Sequence, residues 1–302
     1  MKALILSDLH PDMYFGYVIK PEELRGLTEK TEEMVYRTLD WMWNIYAVPA
    51  TDAILIAGDL ANDYLTFTSE INWLAGKYCE VYLCLGNHDL TVRGATSSKS
   101  NLQFTSSEQK IEKMKEHCAK FPNVHLLDGN VVNGIGGCMM TCDLKCDCAP
   151  NYDHRTEWKR KWYDGKHWRY MGQEPGLIWN DCKQKLDAIV AQKPKYILTH
   201  FAPYQVGVNF KHRLSNDNKF FYFNAEEWLE KLDHNTTWIC GHTHTRKYCE
   251  YVNEQNELIK ILCNPFGYPG EHDTYADKWC YKDGKLDRTS IDTTYNDYIV
   301  EI

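Results

Sequence analysis

The chain has 302 residues and a formal net charge of −8. This length allows a large buried core, while the acidic balance disfavours extended contact with a nucleic-acid backbone. The apolar run within residues 1–6 is too short for a secretion signal, and no apolar run has the length of a membrane span. We therefore expect a single cytoplasmic domain over residues 1–302 that makes no contact with a membrane.

Five apolar runs along the chain are each followed directly by a polar block. The runs are short, β-rich and uninterrupted, which is typical of strands that are buried on both faces. In chain order, the polar blocks are Asp8-Leu9-His10, Gly58-Asp59, Gly86-Asn87-His88-Asp89, His200 and Gly241-His242-Thr243-His244. Side chains that follow such strands converge along one edge of a sheet, where open α/β folds place their sites. Carboxylate, imidazole and amide groups are ligands for divalent metals, so the pattern predicts a metal-dependent enzyme.

Helical and strand patterns alternate through the rest of the chain. Helices are predicted within Glu22–Ala47, within Ser69–Lys77, after a capping Ser106, within Leu177–Gln192 and, after a capping Asn224, within Ala225–Leu232. Further strands are predicted at Val124–Leu127, Gly136–Thr141, Leu258–Leu262 and Tyr298–Ile302. The alternation indicates an α/β fold.

Three segments depart from this pattern and are expected to be insertions near the active site, at about 90–105, 150–172 and 203–223. The first is rich in Ser and Thr and is predicted to be a loop. The second alternates Arg and Lys with Trp and Tyr, a combination that can bind phosphates and stack bases. An amphipathic helix with inward Trp side chains and solvated charges explains it equally well. The third follows His200 and is either a substrate-contacting loop or an ordinary surface loop. The candidate substrate-binding residues in these segments are Arg155, Arg160, Arg169, Lys211 and His212.

The chain has 12 cysteines, which we expect to be reduced because no secretion signal is recognised. The one cluster comprises Cys138, Cys142, Cys146 and Cys148. Its uneven spacing favours partly buried thiols over a structural metal site, which would usually show two separated pairs of cysteines. The metal site remains the alternative.

The five polar blocks resemble, in the same order, the D-x-H, GD, GNH[D/E], H and GHxH blocks of the calcineurin-like metallophosphoesterases. The resemblance extends to Asn264–Pro269, which is similar to an NPxGYP turn of some bacterial and phage members. Phe266 departs from those members, which often have a basic residue at that position. The family resemblance implies a four-layer α-β-β-α sandwich, in which helices flank two mixed β-sheets.

The resemblance also implies a centre with two divalent metal ions bridged by Asp59. Asp8, His10 and His244 would complete one metal site, and Asn87, His200 and His242 would complete the other. Such a centre clamps the attacking and leaving oxygens of an in-line displacement, and a metal-bound hydroxide supplies the nucleophile. We expect manganese, with iron, zinc, cobalt and nickel as alternatives.

His88 is expected to be catalytic, either by protonating the leaving oxygen or by stabilising the phosphoryl oxygens. Asp89 is expected to be catalytic with it, by accepting its other ring proton and fixing the tautomer. The sequence thus predicts a metal-dependent phosphoesterase that acts on a small phosphorylated substrate or nucleotide, with phosphodiesters slightly favoured. A nuclease or other nucleic-acid-processing phosphoesterase is one alternative, which the acidic charge disfavours. A non-catalytic scaffold of the same fold is the other, although every ligand position is present.

Overall fold

The computed structural model describes residues 1–26, 31–92, 99–144, 154–204, 219–271, 275–282 and 285–302. Two mixed β-sheets form its centre. The first has the order β13-β1-β2-β3-β4. Its strands are β1 (Lys2–Leu6), β2 (Ala53–Ala57), β3 (Glu80–Cys84), β4 (Val124–Leu126) and β13 (Ile299–Glu301). Strands β1 to β4 are parallel, and β13 pairs antiparallel with β1.

The second sheet has eight strands in the order β12-β11-β9-β10-β8-β7-β6-β5. They are β5 (Asn130–Val132), β6 (Ile135–Cys138), β7 (Tyr196–Thr199), β8 (Thr237–Cys240), β9 (Lys247–Val252), β10 (Leu258–Cys263), β11 (Tyr275–Lys282) and β12 (Lys285–Asp292). The central strands β6, β7, β8 and β10 are parallel, so that the chain segments following β7 and β8 leave the sheet at the same edge.

Each central strand is buried on both faces, as the uninterrupted apolar runs predict. In β1, Ala3 and Ile5 pack in the layer between the two sheets, where Leu198 of the second sheet also lies. Leu4 and Leu6 point the other way, into the apolar layer that the helices cover. A strand in which polar and apolar residues alternate would place polar side chains in one of these two apolar layers. The run therefore contains only apolar residues.

Helices cover the outer faces of the sheets, which confirms the α/β fold of two mixed sheets flanked by helices. They are α1 (Pro11–Val18), α2 (Pro21–Gly26), α3 (Glu32–Ile45), α4 (Tyr64–Lys77), α5 (Ser107–Cys118), α6 (His154–Lys161), α7 (Tyr163–His167), α8 (Pro175–Val190) and α9 (Glu226–Leu229). In the described ranges, none of these helices combines the length and the apolarity that crossing a bilayer requires.

The helix boundaries differ from the predicted ones where a cap lies elsewhere. Helix α4 begins five residues before Ser69, because the Asp63 side chain accepts a hydrogen bond from Thr66 N and caps it. Ser106 caps α5 as predicted, by accepting from Gln109 N at 3.3 Å. Asn224 does not occupy the N-cap position of α9; that position belongs to Ala225.

Several elements have no counterpart among the predicted ones, namely α1, β5, β9, β11 and β12. Strand β9 alternates buried and half-buried residues and contains Lys247 and Glu250, so no apolar run marks it. The predicted helix within Glu22–Ala47 is two helices, and residues 27–30 between them lie outside the described ranges.

The described cysteines of the predicted cluster, Cys138 and Cys142, are buried free thiols. Burial raises the pKa of both, which keeps them neutral. Cys146 and Cys148 lie outside the described residues, so the choice between thiols and a structural metal stays a prediction.

A glycine allows the loops that follow β2 and β3 to touch. A Cβ at Gly86 would lie 2.1 Å from Asp59 Oδ1 and 2.3 Å from Asp59 N. Both distances are far inside van der Waals contact, and the second involves backbone. Only glycine therefore fits here, and the polar block after β3 lies directly against the block after β2.

We expect Gly86→Ala to lower the free energy of unfolding by about 1–3 kcal/mol, the usual cost of overpacking a close contact. Gly76→Ala is the matched control, because a Cβ at Gly76 would meet no atom within 4 Å. Gly76 lies in α4, where alanine is more stable than glycine by roughly 0.5–1 kcal/mol. Urea unfolding of chelator-treated protein measures both variants. Equal stabilities for the two would contradict the close contact.

Candidate metal centre

Seven side chains from the two sheets meet where their parallel strands end. Asp8 and His10 follow β1, Asp59 follows β2, Asn87 follows β3, His200 follows β7, and His242 and His244 follow β8. All seven are the residues that the sequence predicts as metal ligands. Because the strands within each sheet are parallel, their carboxyl ends lie at one edge of that sheet. The two sheets pack face to face, so these two edges lie side by side.

Asp8, His10 and His244 form the first group, in which one possible ligand atom from each side chain lies within 4.8 Å of the others. His244 Nε2 is 3.3 Å from Asp8 Oδ1. The second group consists of Asp59, His200 and His242 and meets the same distance criterion.

Asn87 completes the second group. Its Oδ1 atom lies 2.9 Å from His200 Nε2 and 2.9 Å from His242 Nδ1. Three donor atoms from three different chain segments thus surround one point. A carboxamide oxygen and two imidazole nitrogens are a suitable ligand set for a borderline divalent cation.

Asp59 lies between the two groups. Its Oδ2 atom is 3.2 Å from His200 Nε2 and 3.6 Å from His10 Nε2. Its Oδ1 atom accepts a hydrogen bond from His88 N at 2.8 Å, which fixes the carboxylate plane. One carboxylate therefore faces both groups, as a bridging ligand must.

The residues present fit a metal, and His10 gives the clearest reason. Both of its ring nitrogens are buried and make no hydrogen bond with any described residue. Burial lowers the pKa of His10 to about 3, so the ring is neutral. A buried polar atom without a partner is costly, and a neutral imidazole nitrogen is the form that binds a metal.

The two carboxylates make this edge attractive to positive charge. Burial lowers the pKa of His200, but the attraction of Asp59 outweighs it and raises the pKa to about 9. Burial likewise opposes protonation of His244, and the attraction of Asp8 outweighs it and raises the pKa to about 10. Protons on these rings and divalent cations compete for the same carboxylates, so the arrangement favours cation binding.

The backbone is in the left-handed region at five of the seven residues. The φ angles are 53° at Asp8, 42° at His10, 56° at Asp59, 68° at His242 and 47° at His244. This region is uncommon for residues other than glycine and recurs at functional sites. These five residues all lie in the loops that directly follow β1, β2 and β8.

His88 lies beside the centre, and Asn62 rather than Asp89 holds its ring. His88 Nδ1 donates a hydrogen bond to Asn62 Oδ1 at 2.7 Å, and His88 Nε2 faces Tyr268 Oη at 3.5 Å. Asn62 is in turn oriented by its Nδ2 group, which donates to Asp12 Oδ2 at 3.0 Å. Asn62 follows Asp59 by three residues, so its closeness to the Gly58-Asp59 block was the available sequence clue.

The predicted role of Asp89 in fixing the tautomer of His88 is wrong. The Asp89 carboxylate is fully buried and accepts hydrogen bonds from four backbone N–H groups at 2.7–3.1 Å. The donors are Asp59, Leu60, Ala61 and Gly86. The backbone N–H groups of the tight loops after β2 and β3 donate their hydrogen bonds to this carboxylate, so Asp89 holds the two loops together.

Asp164 orients Asn87 and was not found by sequence reasoning. Asn87 Nδ2 donates to Asp164 Oδ1 at 2.9 Å, which turns Oδ1 of the amide toward the two histidines. Trp168 Nε1 donates to the main-chain oxygen of Asn87 at 2.7 Å. Both partners come from the 150–172 segment, and their separation of more than 70 residues from Asn87 leaves no local pattern to read.

Glu271 plays a comparable part for His244. Its Oε2 atom lies 2.7 Å from His244 Nδ1 and also accepts a hydrogen bond from Tyr268 N at 2.8 Å. A carboxylate on the far nitrogen of a metal-ligating imidazole fixes the ring orientation. The clue in the sequence was the turn at Asn264–Pro269, which lies just before Glu271.

A pocket of about 480 Å³ opens over the centre, and the described residues that line it include four aromatic side chains but no Lys or Arg. The aromatic residues are Trp162, Tyr163, Phe221 and Tyr268, beside the histidines of the centre. The 150–172 segment thus reaches the site through Trp162 and Tyr163.

The structure does not bring the three predicted arginines to this pocket. Arg155 lines a separate cavity at the start of α8, and Arg160 is exposed on α6. Arg169 donates to the main-chain oxygens of Lys166 and Trp168. This distribution matches the alternative of inward Trp side chains and outward charges, since Trp158 and Trp168 are buried. Lys211 and His212 lie outside the described residues, and their role stays a prediction.

Comparison with known proteins bears on the fold and the family of the chain. A solved structure of similar fold is a phosphopantetheinyl hydrolase from Mycobacterium tuberculosis, with a TM-score of 0.60 and 15% sequence identity. The match covers 89% of this chain and 90% of that chain, and at this identity it shows a shared fold. Comparison with curated proteins gave no match. A model of the calcineurin-like phosphoesterases matches residues 1–246, so the chain belongs to the calcineurin-like phosphoesterase family.

Proposed function

We propose that the protein is a dinuclear metal-dependent phosphoesterase that favours phosphodiesters. The position of Asp59 carries this proposal, because its Oδ2 atom faces His200 of one group and His10 of the other. A carboxylate in that position lets two cations approach closely. Two divalent ions held there would act as Lewis acids on a phosphate ester and would activate a water molecule as nucleophile.

The donor set supports a transition metal with mixed nitrogen and oxygen ligands. Asp8, His10, Asp59 and His244 would hold one ion, and Asp59, Asn87, His200 and His242 would hold the other. No thiolate lies in either group, and imidazole with carboxylate suits manganese, iron, cobalt and zinc. We propose manganese as the first metal to test.

His88 supports the reaction from the edge of the centre. Asn62 accepts the Nδ1 proton of His88, which leaves Nε2 directed toward the pocket. In the imidazolium form Nε2 also carries a proton, which would be transferred to the leaving oxygen and leave the neutral ring hydrogen-bonded to Asn62. Tyr163 stacks on His88 with ring centroids 4.4 Å apart and limits its movement.

Charge favours a diester over a monoester. The described residues that line the pocket include no Lys or Arg, and the Glu271 carboxylate lies among them. A phosphomonoester carries more negative charge than a diester at neutral pH, and it would need further cations to compensate. A scaffold without catalysis is disfavoured, because both groups and His88 are complete.

Asp59→Asn is expected to lose metal and activity together, since the amide keeps one acceptor for His88 N but removes the shared charge. Metal content per chain, measured by mass spectrometry after dialysis with Mn²⁺, should fall below that of the unaltered protein. Asp181→Asn is the control, because Asp181 pairs with Lys185 and Tyr170 away from the centre. A full complement of two ions in Asp59→Asn would refute the bridge.

His88→Ala is expected to retain its metal but lose roughly 10²–10⁴ in kcat for a diester with an aliphatic leaving alcohol. The loss should be smaller for bis(4-nitrophenyl) phosphate, because nitrophenolate departs without a proton. Asn62→Ala should give a weaker form of the same pattern. His117→Ala serves as control, since His117 contacts Asn72 outside the centre.

Equal losses on the two esters would instead assign His88 to the stabilisation of the phosphoryl oxygens. Loss of metal from His88→Ala would place His88 among the ligands.

A further inference from the structure

The walls of the pocket differ in what they contact. Tyr163 stacks on His88, and the ring of Tyr268 packs against His10 and His244 at centroid distances of 4.9 and 4.4 Å. These two aromatic side chains therefore belong to the catalytic centre itself. Their rings are already covered by the histidines that they support.

Trp162 and Phe221 form a second wall. The Trp162 ring stacks on the buried Phe220, with centroids 4.5 Å apart and planes inclined by 25°. Phe221 meets the edge of Trp162 at 5.3 Å and leans over His242 at 5.4 Å. This wall therefore begins at the second metal group and leads away from it.

Both members of this wall are only half-buried, and both line the pocket. The stacking on Phe220 supports Trp162 from behind, so the indole presents a preformed apolar surface to the pocket. Such a surface remains in contact with water unless a ligand covers it, and a flat aromatic group covers it best.

Size and polar groups indicate what the aromatic group is attached to. The pocket volume of about 480 Å³ lies in the range of small-molecule sites. Thr243 and Glu271 also line it, and the Thr243 hydroxyl and the second carboxylate oxygen of Glu271, Oε1, can hydrogen-bond to the edge of a base or to a sugar. A simple aryl ester would use the aromatic wall but not these polar groups.

We propose that the site takes phosphodiesters that carry a nucleobase, with the base stacked on Trp162 and Phe221 and the phosphoryl group at the metal centre. This inference rests on the proposed phosphoesterase function and names its substrate class. The described basic side chains of the 150–172 segment do not line the pocket, so the contribution of this segment to substrate binding would be stacking through Trp162.

The test compares two ligands that share a sugar and a phosphate and differ in the base. Dissociation constants of two singly charged phosphodiesters, the methyl esters of adenosine 5′-monophosphate and of ribose 5-phosphate, are measured by calorimetry on the Mn²⁺-loaded protein. The nucleotide should bind roughly tenfold or more tightly, as expected for one stacked base. In Trp162→Leu the two constants should become nearly equal, through weaker binding of the nucleotide alone.

Trp179→Leu is the matched control. Trp179 is also a half-buried tryptophan, but it contacts Phe223 and Trp228 and lines the separate cavity beside Arg155. Its replacement should leave the preference for the nucleotide unchanged. An equal loss of preference in both variants would indicate a general disturbance of packing and would overturn the assignment to Trp162.

Equal binding of the two ligands by the unaltered protein, or no binding of either, would also overturn the inference. Methyl phenyl phosphate provides a further arm, because binding as tight as that of the nucleotide would show that any aryl group suffices and would overturn the assignment to a nucleobase. Hydrolysis of bis(4-nitrophenyl) phosphate tests the proposed function separately. Hydrolysis without a preference for the nucleotide would refute this inference alone, whereas the preference without hydrolysis would refute the proposed function.

Discussion

The burial of two carboxylates at one point is the constraint on which the centre depends. Asp8 and Asp59 are 0% and 1% exposed. Two like charges withdrawn from water destabilise a fold unless positive charge or hydrogen-bond donors compensate. The Ser7 hydroxyl and His242 N donate to Asp8, and His88 N donates to Asp59. The surrounding imidazoles either carry protons or bind cations in place of those protons. Both supply positive charge to the two carboxylates, so metal binding and folding are linked.

A second layer of polar groups gives each member of the centre its direction. Asp164 turns the amide of Asn87, Asn62 holds the ring of His88, and Glu271 holds the ring of His244. Each contact fixes which atom of a two-ended side chain faces the centre. Asp164 is fully buried, and burial raises its pKa to about 7. Burying this carboxyl group is unfavourable for folding, but its hydrogen bond fixes the orientation of the Asn87 amide.

The 150–172 segment combines two properties that its sequence left as alternatives. Trp158 and Trp168 pack inward, and Lys159 and Lys161 pair with acidic residues at the surface, as in an ordinary amphipathic helix. Trp162 nevertheless reaches the pocket over the centre. The short break between α6 and α7 falls at Trp162, where the backbone is extended, and this break separates it from the buried face of α6.

The amino-acid sequence by itself predicted the class of fold and, through a family resemblance, the candidate members of the centre. Short uninterrupted apolar runs are typical of strands covered on both faces, and polar blocks directly after parallel strands lie at the same edge of a sheet. The polar blocks could therefore be located from local pattern, whereas the choice of Asp8, Asp59, Asn87 and His200 as ligands followed from the resemblance to the calcineurin-like metallophosphoesterases. Strand β9 was not predicted, because its buried residues alternate with half-buried ones and include Lys247, so that no uninterrupted apolar run marks it.

Only the tertiary structure decided how these residues are oriented and what surrounds them. The hydrogen-bond acceptor for the His88 ring is Asn62 rather than the adjacent Asp89. The Asp89 carboxylate instead accepts hydrogen bonds from backbone N–H groups of the tight loops after β2 and β3. Asp164 and Trp162 reach the site from a distant segment. Sequence patterns report which faces are apolar and where strands end. Hydrogen-bond direction and side-chain approach depend on packing between segments far apart in the chain, which no local pattern encodes.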